Sequence, residues 1–417
     1  MATSITQAAC TLIETPSLET AGLPEESAAL STDAILSDIL HAVRLNFGMD
    51  VAFISEFNQE QRSFRFVDAE NLATCPIAVG DSGPLEQSYC QRVVDGRLPE
   101  LIRNAQEIPE ALTLAATTQL PVGAHVSVPI HFGDGSLFGT FCCFSSEPNE
   151  SLSERDILSM RLYAKLCGTL LERLTLEQRR IDVRVQRMQS VLRNRELSIV
   201  YQPIYCLSRN SILGYEALSR FHAEPMRPPD KWFAEAQATG LLGDLECCAV
   251  SLALSGLPEL SANCYVAVNV TPETILSCPA MLDLLATNPG RTVLELTEHA
   301  SIDDYTQIRQ ILEPLRKLGL KLAVDDAGAG YASFRHILQL KPDVIKLDRS
   351  LISGIDHNEG CMALAAALIV FAEKTGSKIV AEGVETQAEI DALRQLKVDM
   401  AQGFFLCKPK PLADVPK

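Results

Sequence analysis

TVLELTE at 292–298, LKLAVDD at 320–326, DVIKLD at 343–348 and KIVAEGVE at 378–385 share one pattern: apolar, largely branched residues lead, and carboxylates or a lysine close the run. Short apolar runs of this kind read as buried strands. Outward from them lie LSIVYQPIY (197–205), ILGYEALSR (212–220), CYVAVNV (264–270) and VDMAQGFFL (398–406), with helical patterns between. Eight such strands alternating with helices in about 220 residues predict an α/β fold, a (β/α)8 barrel of TIM-like type. In seven of the eight runs the polar residues come late: Glu216, Asn269, Glu295, Asp325 with Asp326, Lys346 with Asp348, Glu382, and Gln402. On a barrel those strand ends converge on one face, where such enzymes place their active sites.

Five carboxylates gathered there, Glu216, Glu295, Asp325, Asp326 and Glu382, would repel one another and take up protons unless cations sat among them. The cluster therefore predicts metal. Oxygen ligands, the Asn269 amide included, suit two Mg2+ or Mn2+ ions rather than zinc, and no histidine lies on these strand ends. Two ions about 4 Å apart activate a water and stabilise a pentavalent phosphorus, which points to phosphoester hydrolysis. Lys346 can hold or polarise the water or balance excess anionic charge, Arg220 suits a phosphate, and Gln202 and Gln402 offer amides to a base or a phosphate oxygen. Singly, each has a plain structural reading as a solvated loop residue or a partner for barrel backbone. Recurrence at strand after strand favours the chemical one.

The chain has 417 residues, a 47% hydrophobic share and a formal net charge of −17. This length predicts two or three domains, and the charge excludes polymeric nucleic acid held by basic patches. The first 164 residues carry 22 acidic side chains against eight arginines and no lysine, so the acidic surplus sits in front. Thirteen cysteines, with no C-x-x-C metal spacing, read as reduced thiols of a cytoplasmic protein. The start MATSITQAAC lacks a basic signal region, and the longest apolar run, 362–372, is too short for a membrane span.

Residues 1–30, rich in Thr, Ser, Ala, Pro and Glu, predict a flexible lead-in. An α+β domain is expected over 31–175: a helix from Ser31, strands at 51–57 and 63–67, and a hairpin of HVSVPIHF and LFGTFCCF turning at Gly133-Asp134-Gly135. A helix opening at Ser151 or Ser153 then runs without proline to Arg195. Within it Leu171, Gln178, Val185 and Leu192, and Leu174, Ile181 and Met188, repeat every seven residues. That seam either packs on its own domain or forms, over 176–195, the coiled-coil linker of a homodimer. The last domain spans 196–417.

The front module resembles a GAF domain, on its helix–sheet–helix order and the run VPIHFGDGSLFGTFCCFSSEP. That implies a sensor of an unknown small ligand or protein partner. The second half resembles the EAL family of cyclic di-GMP phosphodiesterases. It carries YQPI at 201, Glu216-Ala217-Leu218-Ser219-Arg220, VNVTP at 268, LELTE at 294, DDAGAGYASF at 325, KLD at 346, AEGVET at 381 and QGFF at 402.

The resemblance implies metal-dependent hydrolysis of cyclic di-GMP to linear pGpG; the alternative is a weak or inactive receptor that only binds the dinucleotide or a partner. It implies that Glu216, Asn269, Glu295 and Asp325 bind one metal and Asp325, Asp326 and Glu382 the other, with Lys346 and Glu382 near the attacking water. Glu298 would brace the following loop, while Gln202, Leu218, Arg220, Asp348 and Gln402 would contact the dinucleotide. Ala327 and Ala329 depart from the family's Asp-Asp-Phe-Gly-Thr-Gly loop, which bears on activity level or regulation. So does Gln237-Ala238 depart, where the family often has Ala-Glu.

Overall fold

The computed structural model describes residues 31–72, 75–296, 305–327 and 331–416, with only the backbone of Asp326, residues 331–334 and His336. The expected lead-in at 1–30, Glu298 and Ala329 lie outside the described residues. The chain divides into two compact units, Met1–Arg179 and Arg180–Lys417.

In the first unit, Ser31 caps the helix Thr32–Phe47 by accepting from the Ala34 N–H, and Leu36, Leu40, Val43 and Phe47 are buried. Strands β1 (Val51–Asn58), β2 (Gln61–Ala69), β3 (Ser82–Pro84), β4 (Leu101–Ile102), β5 (Ala124–His131) and β6 (Leu137–Ser145) form one antiparallel sheet, ordered β3-β2-β1-β6-β5-β4. Alternate residues serve opposite faces. Ala52, Ile54, Phe141 and Cys143 join a core with Met160, Ala164 and Leu171, while Val51, Phe53, Cys142 and Phe144 join another with Tyr89 and Ile102. Both faces are covered, which is why the β5 and β6 runs read as continuous apolar stretches rather than alternating ones.

The helix Glu154–Asn194 joins the units. Ser153 precedes it and donates from both its N–H and its hydroxyl to Asp156. Of the seven-residue seam, Leu171 is buried in the first unit, whereas Met188 is buried with Trp232 and Leu245 in the second, where Leu192 also packs. Those positions pack on the chain's own cores, while Gln178 and Ile181 of the same seam are exposed.

In the second unit, β7 (Leu197–Cys206), β8 (Ser211–Phe221), β9 (Tyr265–Val270), β10 (Thr292–Leu296), β11 (Lys321–Ala327), β12 (Val344–Leu347), β13 (Lys378–Ala381) and β14 (Met400–Ala401) close into an eight-stranded barrel, with β15 (Lys410–Pro411) added to β7. The eight expected runs become its eight strands. One expectation changes: β7 is antiparallel to both neighbours and joins β8 by a hairpin, with no helix between. From β8 to β14 successive strands are parallel. Among the described residues no helix is long and apolar enough to cross a membrane.

Trp232, the only tryptophan in the chain, is fully buried beside Met188. Met188→Ala should cost the second unit about 2–5 kcal/mol by leaving a cavity there. Urea unfolding followed by Trp232 fluorescence checks this; an unchanged midpoint would show that the end of the long helix does not support the barrel.

Candidate active site

The barrel interior is built in layers with the two-residue period of a strand. One apolar layer comprises Ile204, Ala267, Val293, Ala323, Val344, Val380 and Met400. Two residues along each strand stand Gln202, Asn269, Glu295, Asp325, Lys346, Glu382 and Gln402, so a second, polar layer lies directly on the first. On β8 the residue two before Glu216 is Gly214, where a Cβ would sit 2.6 Å from the Tyr265 ring, so glycine makes room for that ring. Gln202 falls mid-strand in the sequence because β7 runs the other way; its register partner is Glu216, which brings it to the same face.

At the centre of the polar layer is the Lys346 ammonium, its side chain 1% exposed. Its Nζ lies 2.7 Å from Glu382, 2.9 Å from Glu295, 3.2 Å from Asp325 and 3.6 Å from Glu216. Burial by itself would push this lysine down, but Glu216, Glu295, Glu382 and Asp325 together hold it well above the usual range. Burial also drives the carboxyls upward. Glu295 is raised well above the ordinary value by burial and by its acidic neighbours, against the pull of Lys346. Glu382 is pushed up to about 8, by burial first and then by Asp325 and Glu216, with Lys346 opposing. The repulsion inferred from sequence is real, and part of its relief comes from within the chain, through one lysine.

Glu216 is held by two amides, with a third behind them. Gln402 Nε2 donates to it at 2.6 Å and to Gln202 at 2.9 Å, Asn269 Nδ2 donates at 3.3 Å, and Gln202 in turn donates to the Cys407 carbonyl. The buried Gln402 Oε1 has no hydrogen-bond partner among the described residues, which leaves an acceptor facing the site. Gly403 lets the next loop close: a Cβ there would meet the Val384 carbonyl oxygen at 2.1 Å. Behind Glu382, Glu389 accepts from the N–H groups of Gly354, Glu385 and Thr386 and so ties down the 382–386 turn.

A cleft of about 270 Å3 runs past Gln202, Glu216, Leu218, Glu382 and Gln402. Its wall includes Arg349 and Phe404, which the sequence reading passed over; the exposed Phe404-Phe405 pair at a strand end was the available signal. Arg220 lies apart, lining a smaller depression of about 220 Å3 with Leu218 and Asn269, and donates to the Ser219 carbonyl. Asp348 caps the short helix Arg349–Ile352 by accepting from the Ser350 N–H. Ala327 is fully buried and its carbonyl receives the Asp348 N–H.

The donors are chemically suited to hard divalent cations: carboxylate oxygens from four strands and one amide, with no thiolate or imidazole among them. Among the described residues no three acidic, histidine or cysteine side chains already form a cation cage, because the carboxylates turn toward Lys346.

An EAL domain model matches residues 184–409 and a GAF domain model matches 31–171. The cyclic di-GMP phosphodiesterase NbdA of Pseudomonas aeruginosa is 31% identical over 240 residues, 55% of this chain; the chain spans 31% of that protein's length. The FimX EAL domain of Xanthomonas citri, solved in complex with c-diGMP, is 23% identical with a TM-score of 0.52, covering 58% of this chain and 99% of that one. The EAL enzyme Bd1971 in its cAMP and cyclic-di-GMP bound form is 17% identical with a TM-score of 0.53, covering 88% of this chain and 92% of that one. These two structures support the fold.

Removing the central ammonium leaves several buried carboxylates facing one another. Lys346→Met, in the presence of a chelator, should destabilise the barrel by about 3–5 kcal/mol at pH 8. The loss should shrink at pH 6, where the raised carboxyls hold protons in place of the ammonium. Unfolding midpoints at the two pH values check this; equal losses would mean that Lys346 does not neutralise the cluster.

Proposed function

The chain belongs to the EAL domain family, with a GAF domain ahead of the EAL domain, and from that premise we propose that it is a cytoplasmic enzyme that hydrolyses one phosphodiester bond of cyclic di-GMP to give linear pGpG. The observation that carries this reading is the convergence of Glu216, Glu295, Asp325 and Glu382 on Lys346, with Asn269 and two glutamines around them. Glu216, Asn269, Glu295 and Asp325 would hold one Mg2+ or Mn2+ ion, and Asp325, Asp326 and Glu382 the second. Bound ions supply the charge that makes water a nucleophile near neutral pH and that offsets charge on phosphorus.

The chain's own groups do the rest. Lys346 and Glu382, 2.7 Å apart, would stand beside the attacking water, in reach of its proton. The hydrogen bonds of Gln402 and Asn269 fix the direction of Glu216. Gln202, Leu218, Arg220, Asp348 and Gln402 would contact the dinucleotide, with Arg349 and Phe404 added from the cleft wall. Glu298 would brace the loop after the aspartate pair. The GAF domain would pass a ligand or partner signal along the helix Glu154–Asn194 in a homodimer. Exposed Leu162, Leu176 and Val183, spaced by sevens or multiples of seven, offer a seam to a second copy.

Purified protein with cyclic di-GMP and Mg2+ or Mn2+ should yield pGpG on chromatography, and a chelator should stop the reaction. Binding without product under either metal would instead establish a receptor. Glu216→Ala should lower turnover at least about 100-fold while the protein stays folded; wild-type turnover would overturn the ligand assignment.

A further inference from the structure

The barrel has a second concave end. Opposite the carboxylates, a depression of about 1140 Å3 opens beneath the apolar layer. Its floor is formed by Leu213, Tyr265, Val293, Val344 and Met400; three of these, Val293, Val344 and Met400, stand two residues before Glu295, Lys346 and Gln402 on their strands. Leu213 and Tyr265 are only half-buried, so apolar and aromatic surface remains open to the depression. Its rim carries five cations, Arg209, Lys321, Lys378, Arg394 and Lys397, against two acids, Asp343 and Asp399.

The acids are already engaged. Asp399 takes the Lys378 ammonium at 2.8 Å and the Ile379 N–H, while Asp343 takes Arg316 at 3.0 Å and the Leu322 N–H. Arg394 lies 3.6 Å from Asp391, with both side chains exposed, a contact worth little in water. Arg209, Lys321, Arg394 and Lys397 therefore concentrate positive potential over a concave surface, in a chain whose net charge is −17. The interior already favours an anion at one point. Burial would raise the Cys206 thiol, but hydrogen bonds from Ser208 and Arg209 bring it down to about 7.

We propose that this floor is a second ligand site, distinct from the carboxylate cluster, which takes a nucleoside phosphate with its base against Tyr265 and Leu213 and its phosphates among Arg209, Lys321 and Lys397. A concave apolar base edged by a few charged groups is what such a ligand needs, since the base gains from burial and the phosphates from the cations. The proposal does not rest on the phosphodiesterase reading, and its test does not measure turnover.

The test uses the full chain carrying Glu216→Ala, in chelator, titrated calorimetrically with GTP, inorganic pyrophosphate and guanosine. GTP should bind one per chain and more tightly than pyrophosphate or guanosine. Adding Lys321→Glu and Lys397→Glu should weaken GTP at least about tenfold, with Trp232-monitored unfolding unchanged as the control for folding. No binding at millimolar GTP, or binding that survives the charge reversal, would overturn the site. Pyrophosphate binding as tightly as GTP would overturn the role given to the apolar floor.

Discussion

One buried ammonium organises the second unit. Four carboxylates reach Lys346 from strands β8, β10 and β11 and from the residue just past β13, and its ammonium offsets part of their mutual repulsion. The strands must then end in register, so that each delivers its side chain to the same level. The parallel pairing of Glu295 with Asn269 and of Lys346 with Val380 provides that register. Gln402 serves the Glu216 oxygen that the lysine does not reach, and Asn269 donates to the other.

Much of this was legible in the sequence because period two is simple. A valine or alanine followed two positions later by a carboxylate, amide or lysine occurs at Ala267–Asn269, Val293–Glu295, Ala323–Asp325, Val344–Lys346 and Val380–Glu382, and the structure turns that repeat into two stacked layers. What escaped was direction. Nothing within LSIVYQPIY says that its strand opposes the others, since the antiparallel choice is made by the short Leu207–Asn210 connection to β8. Arg220 was assigned by its charge and by the run Glu216-Ala217-Leu218-Ser219-Arg220, and its position toward the end of a long hairpin strand sets it beside Leu218 in a neighbouring depression. Charge balance was one of the two roles open to Lys346, and the structure adds that four acids face it at once.

The joining helix teaches a related lesson. A seven-residue repeat records only that one face is apolar, and the structure divides that face between two cores: Leu171 belongs to one unit and Met188 to the other. A second row, carried by Leu162, Leu176 and Val183, stays exposed. Periodicity could not rank the two rows because burial depends on what each half of the helix folds against.

The reversed first strand has a consequence for where force can enter the barrel. In a barrel whose strands are all parallel, the chain arrives at the closed bottom and must be felt through the whole stack of layers. Here Leu197, the first residue of β7, pairs with Phe221 at the far end of β8, so the incoming backbone is delivered at the rim that bears the carboxylates. Five residues further along the same strand is Gln202, which bonds to Gln402 and, through it, to Glu216. The end of the joining helix is thus separated by a few residues of one strand from an amide of the carboxylate cluster, a shorter route than any that would run through the stacked layers.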